Sequence, residues 1–260
     1  MTAATFAGPV TAPRVPPFTW VRIFVRMLAI QGAWNYESLI GNGIGFSLEP
    51  ALCLLPGGVH GAAFRAAMTR ESAYFNAHPY LAAVAVGALA RVELSEVPPD
   101  RIERFRTALC GPLGSVGDRL VWAGWLPLCS LIALALFGLG ASAGVVLIVF
   151  LALYNAGHLA LRAWGLYVGW TRGLGVASAL ANPVLRKGPA HVGRAAALMA
   201  GFAVPLTAAR LLGHHVALIG IVLASSAVAA ALLVRFHGRV EGYKLALVLI
   251  ALFALVSVVR

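Results

Sequence analysis

The chain has 260 residues, of which 60% are hydrophobic and only 11% charged, with a mean hydropathy of +0.86 and a net charge of +11. A soluble domain carries about 25% charged residues, so a soluble core holding this much apolar surface is excluded. The basic residues gather in gaps between apolar runs, not in a stripe with aromatic platforms, which points to membrane loops and away from nucleic acid.

Residues 1–17 hold four prolines and no apolar run of signal-peptide length. They read as a disordered lead on the cytoplasmic side. Residues 18–30 (FTWVRIFVRMLAI) set Arg22 and Arg26 four apart among apolar residues, the pattern of an amphipathic helix lying on the cytoplasmic face. A first polar island follows at 31–37 (QGAWNYE). Helical spacing would place Gln31, Trp34, Asn35 and Ser38 within one arc of about 100°. An amide pair beside an indole suits a sugar, because amides bond hydroxyls and a flat ring covers the C–H face. The same amides also suit bonding to a neighbouring helix.

Residues 39–55 are apolar but interrupted by Gly41, Gly43, Gly45, Glu49 and Pro50, and 79–90 is too short to span. Both read as broken or re-entrant segments, which membranes tolerate where the backbone is buried in protein or lines a cavity. Between them lies a second island, 74–79. Its Asn76 and His78 either cap the following helix or stand at the mouth of a re-entrant hairpin. Residues 91–106 mix both signs and read as a cytoplasmic loop with a short helix after Pro98-Pro99. The third island, 111–118 (GPLGSVGD), reads as a pliable turn built by Gly111, Gly114 and Gly117, with Asp118 capping the next helix. It lacks the Lys-Ser/Thr ending of a phosphate loop.

Five stretches are long enough to span, at about 20 apolar residues each: 120–139, 142–161, 195–212, 216–234 and a short 245–259. The joints 162–194 and 235–244 are basic and are expected in the cytoplasm; those at Gly140 and His214 are nearly neutral and are expected outside. The expected fold class is therefore all-α, a polytopic membrane protein of about five transmembrane helices over 119–260. An amphipathic and re-entrant half over 18–118 precedes them and faces the substrate.

No nucleophile–base arrangement, paired carboxylates or metal-ligand spacing stands out, and Cys53, Cys110 and Cys129 form no CxxC pair. No catalytic residue, metal or cofactor is expected on this chain.

The islands as a set resemble the IID component of mannose/fructose/sorbose-type sugar phosphotransferase systems. The matching pieces are 24–26, 31–37, 41–43, 46–50, 75–81, 111–118, 154–155 and 162–169, in order and in rough spacing from about 18 to about 175. The resemblance implies an inner-membrane subunit that pairs with a IIC membrane subunit and passes a mannose-type hexose. Separate IIA and IIB proteins supply the phosphoryl group, and the complex is a trimer of IIC–IID pairs. It further implies that Gln31, Trp34, Asn35, Glu37, Asn76 and His78 face the sugar path, with Gly111, Gly117 and Asp118 in support. Ser38, Leu39 and Ile40 depart from the family's basic-Met-Gln run, Asn42 replaces a Leu, and Ala160-Leu161 replaces a proline-bearing stretch. A scaffold or regulator that keeps the fold without transporting is the competing reading.

Overall fold

The computed structural model describes residues 13–213, apart from Glu96 and Asn182, and scattered positions between 220 and 235. Among the described residues all regular structure is helical except for two isolated β-bridges. The protein is an all-α membrane protein.

Helix α1 (Pro17–Met27) begins with proline, whose fixed φ and missing N–H suit a first turn. It buries Ile23 and Met27 and exposes Phe18, Val21 and Val25. Arg22 and Arg26 turn to Glu49 of α2 (Gly41–Leu52), with Arg26 at 2.6 Å. The helix is amphipathic, as expected, with its two cations on one face sharing the single Glu49 carboxylate.

Segments expected to be broken or re-entrant form two short buried helices, α2 and α4 (Ala82–Glu93). From Ala82 to Ala90 every side chain of α4 is buried, because its small apolar residues pack on all sides. Its main neighbour is α7 (Ala143–Arg172). There a Cβ at Gly87 would lie 2.2 Å from the Leu166 carbonyl oxygen, and one at Gly169 would lie 2.2 Å from that of Val84. Small residues let the two backbones touch.

The polar stretch 91–106 holds the end of α4 and, from Pro99, the helix expected after Pro98-Pro99, which runs on well beyond 106. Glu93 of α4 pairs bidentately with Arg70 of α3 (Ala62–Ser72), at 2.8 and 2.7 Å. Arg106 of α5 (Pro99–Gly117) bonds the Glu71 carboxylate at 3.2 Å and the carbonyls of Ala73 and Tyr74 at 2.5 and 2.8 Å. These contacts lock the end of α3 between α4 and α5.

Helix α5 runs without a break through a π-helical segment, Asp118–Trp125, into α6 (Leu126–Gly138). The expected turn at 111–118 is therefore absent: Gly111 and Gly117 lie inside a helix of 40 residues, and Asp118 is exposed at its middle rather than capping a start. The expected joint at 162–194 is also corrected. Helix α7 continues to Arg172, and a bend holding the single-turn α8 (Ala177–Leu180) leads to α9 (Pro183–Leu212). Arg162 is buried in helix, and Arg186, Lys187 and Arg194 lie in α9.

Three helical stretches, Pro99–Gly138, Ala143–Val176 and Leu185–Leu211, are long and apolar enough to cross a membrane. At one end of this bundle Arg210 of α9 donates to the carbonyls of Phe137 and Ala141, and Thr207 donates to that of Leu134. At the other end Gly124 meets Val192. The joint at Gly140 and the end of α9 therefore share one side. The spans expected at 216–234 and 245–259, and most of the lead expected at 1–17, lie outside the described residues.

Candidate functional site

The three islands are distant in sequence and joined in space. Leu39 forms a β-bridge with Phe75, reinforced by Ile40 N–H to the Phe75 carbonyl at 3.2 Å and Phe75 N–H to that of Ser38 at 3.1 Å. Gly117 then packs on His78, where a Cβ would lie 2.2 Å from the histidine Cβ. First island touches second, and second touches third.

The first island is not helical, so the expected arc of Gln31, Trp34, Asn35 and Ser38 does not exist. Turn chemistry wins instead. The Asn35 carboxamide oxygen accepts from the N–H groups of Glu37 and Ser38 at 3.0 and 2.9 Å, and its nitrogen donates to Ala33 O and Ser38 Oγ. Leu39 takes a positive φ of 50° to complete the turn into the bridge. Asn35 is thereby spent on the loop's own backbone. Around it Gln31, Trp34, Tyr36 and Glu37 are exposed, Tyr36 at 90%, with the Trp34 and Tyr36 rings edge to face at 4.8 Å.

The second island divides. Asn76 is exposed, whereas His78 is buried and its Nδ1 accepts from the Tyr80 N–H at 3.2 Å, closing the turn before α4. Burial, and then the nearby Arg162, push the His78 pKa down to about 4. His78 is therefore a neutral imidazole near neutral pH. In the third island Gly117 makes room for His78, Gly111 has open space around it, and Asp118 is exposed.

Tyr80 is the hub of a cluster that sequence reasoning missed. Its hydroxyl lies 2.6 Å from that of Tyr154, and its ring stacks on His158 at 4.9 Å and meets His78 edge-on at 5.0 Å. The π segment brings Trp122 to 4.9 Å from His78; such wide turns recur at functional sites. Tyr154, His158 and Arg162 stand at i, i+4 and i+8 on one face of α7, a spacing visible in the sequence but obscured by placing Arg162 in a joint. Arg162 lies 4.7 Å over the Tyr80 ring and donates to the Met27 carbonyl at the end of α1. No carboxylate pairs with it among the described residues; the ring face and the negative end of α1 take that part. Beside the cluster a cavity of about 170 Å³ opens between Tyr80, His158, Trp125, Leu161 and Val192.

The island-bearing part of the chain matches a family model. The model for the PTS system mannose/fructose/sorbose family IID component covers residues 17–205. The chain belongs to that IID family.

Similar IID proteins include the mannose-specific EIID component of Escherichia coli K12, 29% identical over 64% of this chain and 59% of that protein. The sorbose-specific EIID component of Klebsiella pneumoniae is 30% identical over 64% and 61%, and the fructose permease IID component of Bacillus subtilis 29% over 64% and 60%. This IID chain thus matches about three fifths of the length of these relatives. Among solved structures it is similar to a chain of the mannose transporter ManYZ in complex with microcin E492. That match has a TM-score of 0.56 and 26% identity, and covers 72% of this chain and 69% of that one. All three islands, and the Tyr80 cluster with them, fall inside the matched region of this IID chain.

Proposed function

We propose that this chain is the IID subunit of a sugar permease, which forms with a IIC membrane subunit the path for a mannose-type hexose. Separate IIA and IIB proteins phosphorylate the sugar, and the pairs assemble as trimers in the bacterial inner membrane with the N-terminus in the cytoplasm. The observation that carries this reading is the outward-facing first island. A rigid polar and aromatic rim of Gln31, Trp34, Tyr36 and Glu37 stands exposed on an otherwise apolar chain, and polar groups in a membrane protein usually meet a partner, a cavity or a substrate. The indole can cover the apolar face of a sugar ring while the amide and carboxylate bond its hydroxyls. In this reading Gln31, Trp34 and Glu37, with exposed Asn76, act toward sugar or partner. Asn35, Gly117 and His78 hold the shape from within.

A scaffold that no longer transports is favoured by one position. Ile40, where the family carries a glutamine, is buried among core residues and offers a substrate nothing polar.

The test is phosphoenolpyruvate-dependent uptake of mannose, fructose and sorbose in cells lacking this chain but supplied with the IIC, IIA and IIB proteins. Restoring the chain should restore uptake of one of them. Normal abundance in the membrane with no uptake of any of the three would favour the scaffold.

A further inference from the structure

We propose that the groove between α1 and α7 binds an anionic phospholipid, one acyl chain lying in the groove and the phosphate held at the end where Trp20 meets Trp170. The groove encloses about 430 Å³ between Trp20, Val21 and Phe24 of α1 and Leu166, Tyr167 and Trp170 of α7. Its walls are apolar, and it opens onto an exposed stripe of Phe18, Val21, Val25 and Leu28. With eleven residues α1 is too short to cross a bilayer, so this stripe runs along the boundary between protein and lipid.

Aromatic residues mark the level of the headgroups. The Trp20 and Trp170 rings meet edge to face at 4.6 Å, and Tyr167 is 68% exposed beside them. Trp and Tyr are enriched where hydrocarbon gives way to headgroups.

The cations then select the sign of the headgroup. Arg14 stands six residues before Trp20 and Arg172 two residues after Trp170; both are exposed, and no ion pair engages either among the described residues. Arg91 is engaged by the carbonyls of Trp170 and Thr171, at 3.0 and 2.6 Å, and fixes that end of the groove. Arg22 and Arg26 lie on the opposite side of α1 against Glu49 and take no part. An apolar groove ending near two exposed arginines, Arg14 and Arg172, is the complement of an anionic amphiphile.

The full chain, purified with its IIC partner, can be titrated with phosphatidylglycerol and phosphatidylcholine of identical acyl chains and read by native mass spectrometry. Two arginines near a membrane surface should favour the anionic lipid by about thirtyfold. The double variant Arg14→Gln/Arg172→Gln should bring phosphatidylglycerol down to the affinity of phosphatidylcholine. Ala163 also lines the groove, and Ala163→Trp, which adds bulk there, should lose both lipids. Quenching of tryptophan fluorescence by a brominated-chain phosphatidylglycerol should shrink in Trp170→Phe. Equal affinity for the two lipids in the parent complex would overturn the proposal. So would a preference that survives loss of both arginines, or lipid retention unchanged by Ala163→Trp.

Discussion

At Gly117 the helix passes so close to His78 that no side chain fits, while six residues earlier Gly111 has no atom near its missing Cβ. The two glycines therefore answer the same substitution in opposite ways. Gly117→Ala should cost about 1–3 kcal/mol by overpacking, and Gly111→Ala should be neutral or stabilise by up to about 1 kcal/mol, since alanine favours helix. Thermal unfolding of the purified protein in detergent checks both. His78 carries a pH signature. Its pKa falls to about 4 in the folded protein, so between about pH 6.5 and 4 the unfolded chain binds a proton that the folded chain refuses. The stability contributed by neutral His78 is present above about pH 6.5 and is lost as pH falls toward 4, by roughly 3 kcal/mol in all. His78→Gln should flatten the fall in melting temperature between pH 7 and pH 4.5. An unchanged slope would assign that fall to other groups.

Helices and loops here are held at their ends by single polar side chains. Asn35 makes four hydrogen bonds within its own loop. Asn35→Ala should cost about 1–2 kcal/mol locally and speed hydrogen exchange at the Glu37 and Ser38 amides, and uptake should fall because the rim loses its shape. Gln31→Ala, by contrast, should lower uptake with exchange unchanged. Equal exchange in Asn35→Ala and the parent would return Asn35 to the sugar-facing set. Arg162 does for α1 what Asn35 does for the loop, tying its last carbonyl to α7. Arg162→Met should loosen α1, read as faster exchange over its last turn. Arg162→Lys should rescue this only in part, because a lysine lacks the planar fork that rests on Tyr80.

On the scale of the whole molecule, the bundle places Gly140 and the C-terminal end of α9 on one side and the bend at 173–182 on the other. The bend itself is uncharged, but Arg172, Arg186 and Lys187 flank it, and the positive-inside rule assigns that end to the cytoplasm. Ser142→Cys should accordingly react with an impermeant thiol reagent applied from outside, and Gly175→Cys only after the membrane is opened. Labelling of Gly175→Cys in intact cells would invert the scheme. The expected number of spans was five; three helices of the described region meet the length and hydropathy needed, and the other two expected spans lie beyond it.

Hydropathy is local, and what it governs was legible from the residues in order. The membrane class, the helical fold, the short buried segments at 39–55 and 79–90, and the islands that carry the family resemblance all rest on runs of neighbouring side chains. The turn expected at 111–118 failed: despite three glycines and a proline the chain stays helical, with Leu113 and Gly117 buried against the rest of the fold. Which island faces outward and which is sealed depends instead on contacts across long stretches of chain. Tyr80 reaches Tyr154, and Arg162 reaches Met27. Burial of a histidine or an arginine is decided by what lands on it, and only the tertiary structure supplies those neighbours.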